Sequence, residues 1–151
     1  MSQLSTKADI IAFLKTHGYR IMEEDSILVI QDEDGLHIFA AIDEPQIEFM
    51  VDVCRVAELD TEKLEEIYEK ILAENTEILP SCFGIDSGDA ADKHIVLVDS
   101  LALENLDENE LLLTLDSFAV NALTARNLLL PYFDFGKLTS QYLGNNRTAT
   151  A

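Results

Sequence analysis

The chain has 151 residues, with 10 Lys+Arg against 29 Asp+Glu and a formal net charge of -19. At 48% hydrophobic residues it is globular rather than disordered, and a chain this long buries roughly 70% of its unfolded surface as one domain. Its acidity argues against nucleic acid and anionic membrane surfaces, which both require Lys and Arg, and suits a basic partner or solubility alone.

Residues 1–5 show no basic region followed by an apolar run, so no signal peptide is expected. No apolar stretch approaches the roughly 20 residues of a membrane helix, so direct membrane insertion is not expected and a cytoplasmic location is. A first helix is predicted over residues 6–17, capped by Ser5 or Thr6, with Thr6 and Asp9 resembling a capping box, and stopped by Gly18. Residues 19–22 read as an extended lead-in. Three strands follow, at 26–31, 36–43 and 47–56. Asp34-Gly35 marks the first turn, because glycine tolerates positive φ, and Pro45 breaks the second.

The second helix has the cleanest period: Leu64, Ile67, Tyr68, Ile71 and Leu72 make one stripe, with Asp60 or Thr61 as cap. Short strands are predicted at 81–85 and 94–102, joined by the loop 86–92. The run Ile95-Val96-Leu97-Val98 suits a strand buried on both faces. The last helix spans 107–130 and ends at Pro131. Only Asp116 and Arg126 are charged between Leu111 and Leu130, so the helix is expected to be mostly covered, with Thr114, Ser117, Asn121 and Thr124 as a thin polar stripe. Residues 1–140 form the single domain, and the polar tail 141–151 is expected to be disordered.

Nothing along this order carries chemistry. His17, His37 and His94 have no second ligand at metal spacing. Gly84-Ile85-Asp86-Ser87-Gly88 holds Asp where a nucleophile elbow needs Ser. Asp86, Asp89 and Asp92 miss the calcium-loop spacing, and no phosphate or dinucleotide loop is present. No catalytic residue, metal or cofactor is therefore expected, and Cys54 and Cys82 read as reduced thiols on strands. Both faces of the strands carry apolar side chains. Phe39 and Met50 on the sheet, with Leu112, Leu115, Ala119, Leu123 and Arg126 on the last helix, form the candidate partner or dimer surface. A charge on that side is costly unless paired, so Arg126 is expected to meet a carboxylate or backbone carbonyls, within the chain or across a dimer.

The stretch Leu79-Pro80-Ser81-Cys82-Phe83-Gly84-Ile85, then Ser100-Leu101-Ala102-Leu103 and a helix over 106–130, resembles the YjfI-type bacterial family of unknown function. The order helix, three strands, helix, two strands, helix resembles the type III secretion chaperone-like fold, shared with YbjN-type proteins. The resemblance implies a small, usually dimeric protein that binds segments of other proteins without ATP. It implies no catalytic residue. It also implies a link to a phage-shock, PspA-like membrane-stress protein, whose genes tend to lie beside the family's. The expected fold is α+β, with a five-stranded, largely antiparallel sheet and three helices. The expected function is a non-enzymatic, chaperone- or adaptor-like binding module, with an accessory role in envelope stress as the alternative.

Overall fold

The computed structural model describes residues 4–137, so the expected tail at 141–151 lies outside the described residues. The elements are α1 (Lys7–Thr16), β1 (Arg20–Glu24), β2 (Ile27–Gln31), β3 (His37–Asp43), β4 (Gln46–Arg55), α2 (Leu64–Glu74), β5 (Cys82–Asp86), β6 (His94–Ala102) and α3 (Glu108–Leu129). The strands form one antiparallel sheet in the order β1-β2-β3-β4-β6-β5. The sheet therefore has six strands where five are expected. The added strand is β1, the predicted lead-in, which pairs with β2 over its whole length. Its sequence, Arg-Ile-Met-Glu-Glu, is too charged to signal a strand by alternation.

Local chemistry sets most boundaries. The Thr6 hydroxyl accepts from the Asp9 amide while the Asp9 carboxylate accepts from the Thr6 amide, closing a capping box on α1. Gly35 sits at φ +86°, the left-handed region its turn requires. A short 3-10 turn, capped by Asp60, precedes α2.

All three helices cover one side of the sheet. A single core joins Ile10 and Leu14 of α1, Ile67 and Ile71 of α2, and Leu115 and Phe118 of α3 to one set of strand side chains. Those strand residues lie in register: Ile21 opposite Ile30, Ile30 opposite Ile38, Val51 opposite Leu97, and Leu97 opposite Phe83. Phe118 meets Phe49 at 6.1 Å between ring centroids, pinning α3 over β4. The strand alternation expected for β2 and β3 is observed. In β4 it breaks, because a bulge between Asp52 and Cys54 turns Cys54 into the helix-covered core.

Two expectations about the helices are corrected. Leu72 leaves the α2 stripe and is 66% exposed. In α3 the covered side holds Leu111, Leu115, Phe118, Ala122, Ala125 and Leu129, but the outward side leaves Leu113, Val120, Leu123 and Leu130 in the open. Thr114 and Asn121, expected on a polar stripe, are buried. The Asn121 amide explains its place: it donates to the Ile78 carbonyl at 2.7 Å and the Ser81 hydroxyl at 2.8 Å, tying α3 to the segment between α2 and β5.

The α2–β5 connection is also anchored from α2, because the Asn75 side-chain carbonyl accepts from the Phe83 amide at 2.6 Å. Tyr132, just past α3, lies between Glu66 and Lys70, donating to the first and accepting from the second. Removing the Asn121 amide takes a buried donor from the Ile78 carbonyl and the Ser81 hydroxyl, and that carbonyl keeps only the Ser81 hydroxyl, at 3.0 Å. Asn121→Ala should lower stability by about 1–3 kcal/mol, read as a shift of the urea midpoint without a change of slope.

Candidate functional site

The side of the sheet that no helix covers among the described residues is the candidate site. Successive pairings place Met22, Val29, Phe39, Met50, Val98 and Cys82 in one row across all six strands. None of them belongs to the helix-covered core. Met22 is 56% exposed and Phe39 37%. Met50, Val98 and Cys82 are half-buried, and Val29, between Met22 and Phe39, is buried.

A hollow of about 500 Å³ opens beside this row, lined by Ile27, Phe39, Met50, Pro80, Cys82 and Val98 among others. Glu24, Asp43, Glu48 and Asp52 stand exposed on this side, with Arg20 as their basic counterpart, so an apolar centre carries an acidic rim. Asp99 also lines the hollow, and burial pushes its carboxyl above the ordinary carboxylate value. The hollow holds a thiol and a hydroxyl, at Cys82 and Ser100, but no histidine.

The sequence-predicted surface residues divide between two places. Phe39 and Met50 meet at the hollow. Ala119, Leu123 and Arg126 border a second cleft of about 480 Å³, against the turn from Asp32 to Leu36, with His37, Phe39 and Asp52 on its other wall. Leu115 is buried, and Leu112 is half-buried beside Tyr19 and Asp116. Arg126 is exposed and makes no ion pair among the described residues, so its expected acceptor is not within the described part of this chain.

A cluster that sequence spacing did not reveal lies at the other end of β4. His94 Nδ1 is 3.0 Å from Asp52 and its Nε2 is 3.3 Å from Asp92, while Arg55 Nε donates to Asp92 at 2.8 Å. Two carboxylates flank one imidazole, and they favour its charged form. Hydrogen bonding to Asp52, then to Asp92, raises the His94 pKa above the ordinary value of 6.5 despite some desolvation. The bond from Arg55 is the main reason the Asp92 carboxyl lies below its ordinary value. The signal missing from the sequence is separation: Asp52 and His94 stand 42 residues apart, and only the β4–β6 pairing joins them. Within the loop 86–92, the carboxylates of Asp86 and Asp89 accept backbone amides of their own turns, from Gly88 and Ala91.

Both cysteines are free, and they differ. Cys54 is buried, and desolvation, helped by Glu58 and Asp52, pushes its thiol up to about 12. Cys82 is half-buried on the open side. A thiol reagent at neutral pH should therefore modify Cys82 and leave Cys54 untouched until the chain unfolds, as mass spectrometry of partial labelling will show.

The His94 cluster predicts a pH dependence of stability. A raised folded-state pKa stabilises the fold below the unfolded value near 6.5, and that contribution is lost as pH rises through the higher folded value. Denaturant midpoints of wild type and His94→Asn should differ most on the acid side of this window and converge on the alkaline side.

Comparisons with known proteins agree with this architecture. The structure is similar to YbjN from E. coli, with 16% identity and a TM-score of 0.62 over 83% of this chain and 93% of that one. It is also similar to an uncharacterized protein from Methanothermobacter thermautotrophicus, with 14% identity and a TM-score of 0.64 over 85% and 99%. At such identities the likeness establishes the fold, an antiparallel sheet with helices. No curated protein matches the sequence. The CesT_Tir_1 family model matches residues 3–132, nearly the whole domain, and the chain belongs to that family.

Proposed function

We propose that the protein is a non-enzymatic binding module, chaperone- or adaptor-like, and that it holds a segment of another protein on the helix-free side of its sheet. The observation that carries this reading is the row from Met22 to Cys82, apolar on every strand and covered by no helix among the described residues. A chaperone-type family and fold support it. The rim chemistry narrows the occupant. Glu24, Asp43, Glu48 and Asp52 surround the apolar centre, so the segment that fits is apolar with flanking Lys or Arg. The basic flanks would speed encounter and fix register, while the apolar centre supplies the affinity.

The family resemblance makes a PspA-like membrane-stress protein the first partner to test. No described helix is long and apolar enough to cross a membrane, so the association we propose runs through a protein surface. The test uses purified protein and peptides spanning such a partner, with fluorescence anisotropy as readout. An apolar peptide with basic flanks should bind, and its affinity should fall with added salt. Phe39→Asp and Met50→Asp should each weaken binding by roughly tenfold or more, since each puts an uncompensated charge into the apolar row. Equal binding of an acidic-flanked peptide, or unchanged binding by both variants, would refute the reading.

A further inference from the structure

The acidic rim of the open face runs into the cluster around His94. Asp52 belongs to both: it lines the cleft of about 480 Å³ with Phe39, and it lies 3.0 Å from His94 Nδ1. Phe39 in turn lines the hollow of the open face, so cleft and hollow are neighbours. The imidazole stands between two carboxylates, Asp52 at Nδ1 and Asp92 at Nε2, and Arg55 holds Asp92. The His94 side chain is 27% exposed and that of Asp52 49%, so a charge arriving from outside can reach them.

The proton count decides what this cluster offers. With His94 protonated, two carboxylates face two cations, and the group is neutral. Both ring nitrogens then donate, and the Asp52 charge is answered from within the chain. A neutral imidazole has one N–H, so it serves only one of the two carboxylates, and the group is left with one negative charge. Asp92 keeps Arg55 in either state. Asp52 has no second cation among the ion pairs of the described residues, so the uncovered charge falls on the side of the cleft.

We propose that His94 sets the grip of the acidic rim on a basic segment: protonated, it occupies Asp52 and loosens that end of the site; neutral, it yields Asp52 to a Lys or Arg of the bound chain. This rests on the sheet-face reading, in which the occupant is apolar with basic flanks. The two carboxylates hold the proton on His94 beyond its ordinary value of 6.5, so the change falls above that pH. The sign follows. Affinity is lower on the acid side, rises as the proton leaves, and levels off on the alkaline side. Linkage makes the effect reciprocal, so a basic segment in place makes His94 release its proton at lower pH.

Other charged groups surround the imidazole. On β4 these are Asp52 and Arg55, and on the loop before β6, Asp92 and Lys93. On β5, Asp86 pairs with His94 in register. Arg126 of α3 stands across the cleft from Asp52. Among side-chain types only histidine ordinarily changes charge in the neutral range. The rival for the role is therefore His37 of β3, which lines the cleft itself.

The probe is an apolar peptide with Lys flanks, no histidine and blocked ends, carrying a dye whose charge is constant in the range used. Fluorescence anisotropy is measured from about pH 6 to about pH 8.5 at fixed ionic strength. Binding to the wild type should tighten by roughly threefold to tenfold, the effect of one unit charge a few ångströms away near a protein surface. His94→Asn should remove the rise, and His37→Asn should retain it. NMR of the wild type gives a second readout: the His94 ring signals should titrate at lower pH with saturating peptide than without it. An affinity equal at both ends of the range, a rise that survives His94→Asn, or a His94 titration unmoved by the peptide overturns the proposal and leaves the sheet-face reading standing. Failure of the peptide to bind at any pH overturns both.

Discussion

The ladder register of the sheet is the constraint on which everything else depends. Side chains alternate along each strand, so the pairing of Ile30 with Ile38 and of Val51 with Leu97 sends one set of residues under the helices and the other set outward. A slip of one residue would exchange the two sets. The covered set is almost wholly aliphatic and aromatic, and its burial under α1, α2 and α3 holds the register in place. The opposite set then follows by geometry: Val29, Phe39, Met50 and Val98 align because Ile30, Ile38, Val51 and Leu97 do. The open apolar row is thus a consequence of the core's alignment as much as of its own composition.

Much of this was legible in the sequence, and the exceptions have physical causes. The Thr6 cap, the Asp34-Gly35 turn, the period of α2 and the alternation of β3 all act within a few residues, where spacing is informative. The order of elements from α1 to α3 follows the expectation apart from one strand. β1 was missed because charged residues on an edge strand mask its alternation, while its backbone pairing with β2 does not depend on them. The covered side of α3 was misjudged for another reason. Periodicity finds an apolar helix, but it cannot tell a helix buried all round from one buried on one side and presented on the other. Alternation alone sets Phe39 and Met50 on the side opposite the core. Arg126 lies with Ala119, Ala122 and Leu123 at the border where α3 turns toward solvent.

The two layers give the molecule two surfaces. The sheet presents an acidic-rimmed apolar face, and the helix layer presents the exposed side of α3, with Leu113, Val120, Leu123 and Leu130. Between them lies a continuous core, from Phe83 and Leu97 on the sheet to Phe118 on α3. The two meet at the cleft of about 480 Å³, where Phe39 and Asp52 of the sheet face Leu123 and Arg126 of α3. Away from that cleft, any coupling between the surfaces would have to pass through packed residues such as Phe49 and Phe118, or through the Asn121 bonds to Ile78 and Ser81.

The bulge in β4 bears on how this chain can change over time. It lets Cys54 enter the core while Asp52 stays on the outer side beside His94. Upstream of it, β4 answers to β3 and the open row; downstream, it answers to the loop that carries Asp92. Substitutions at Val53 alter only what fills the bend. Loss of a residue there would straighten the strand and reverse every side chain beyond it, driving Arg55 toward the core and Val56 toward water. This stretch can therefore drift in composition but not in length, so the number of residues between Asp52 and Val56 should be preserved in descendants of this chain even where their identities are not.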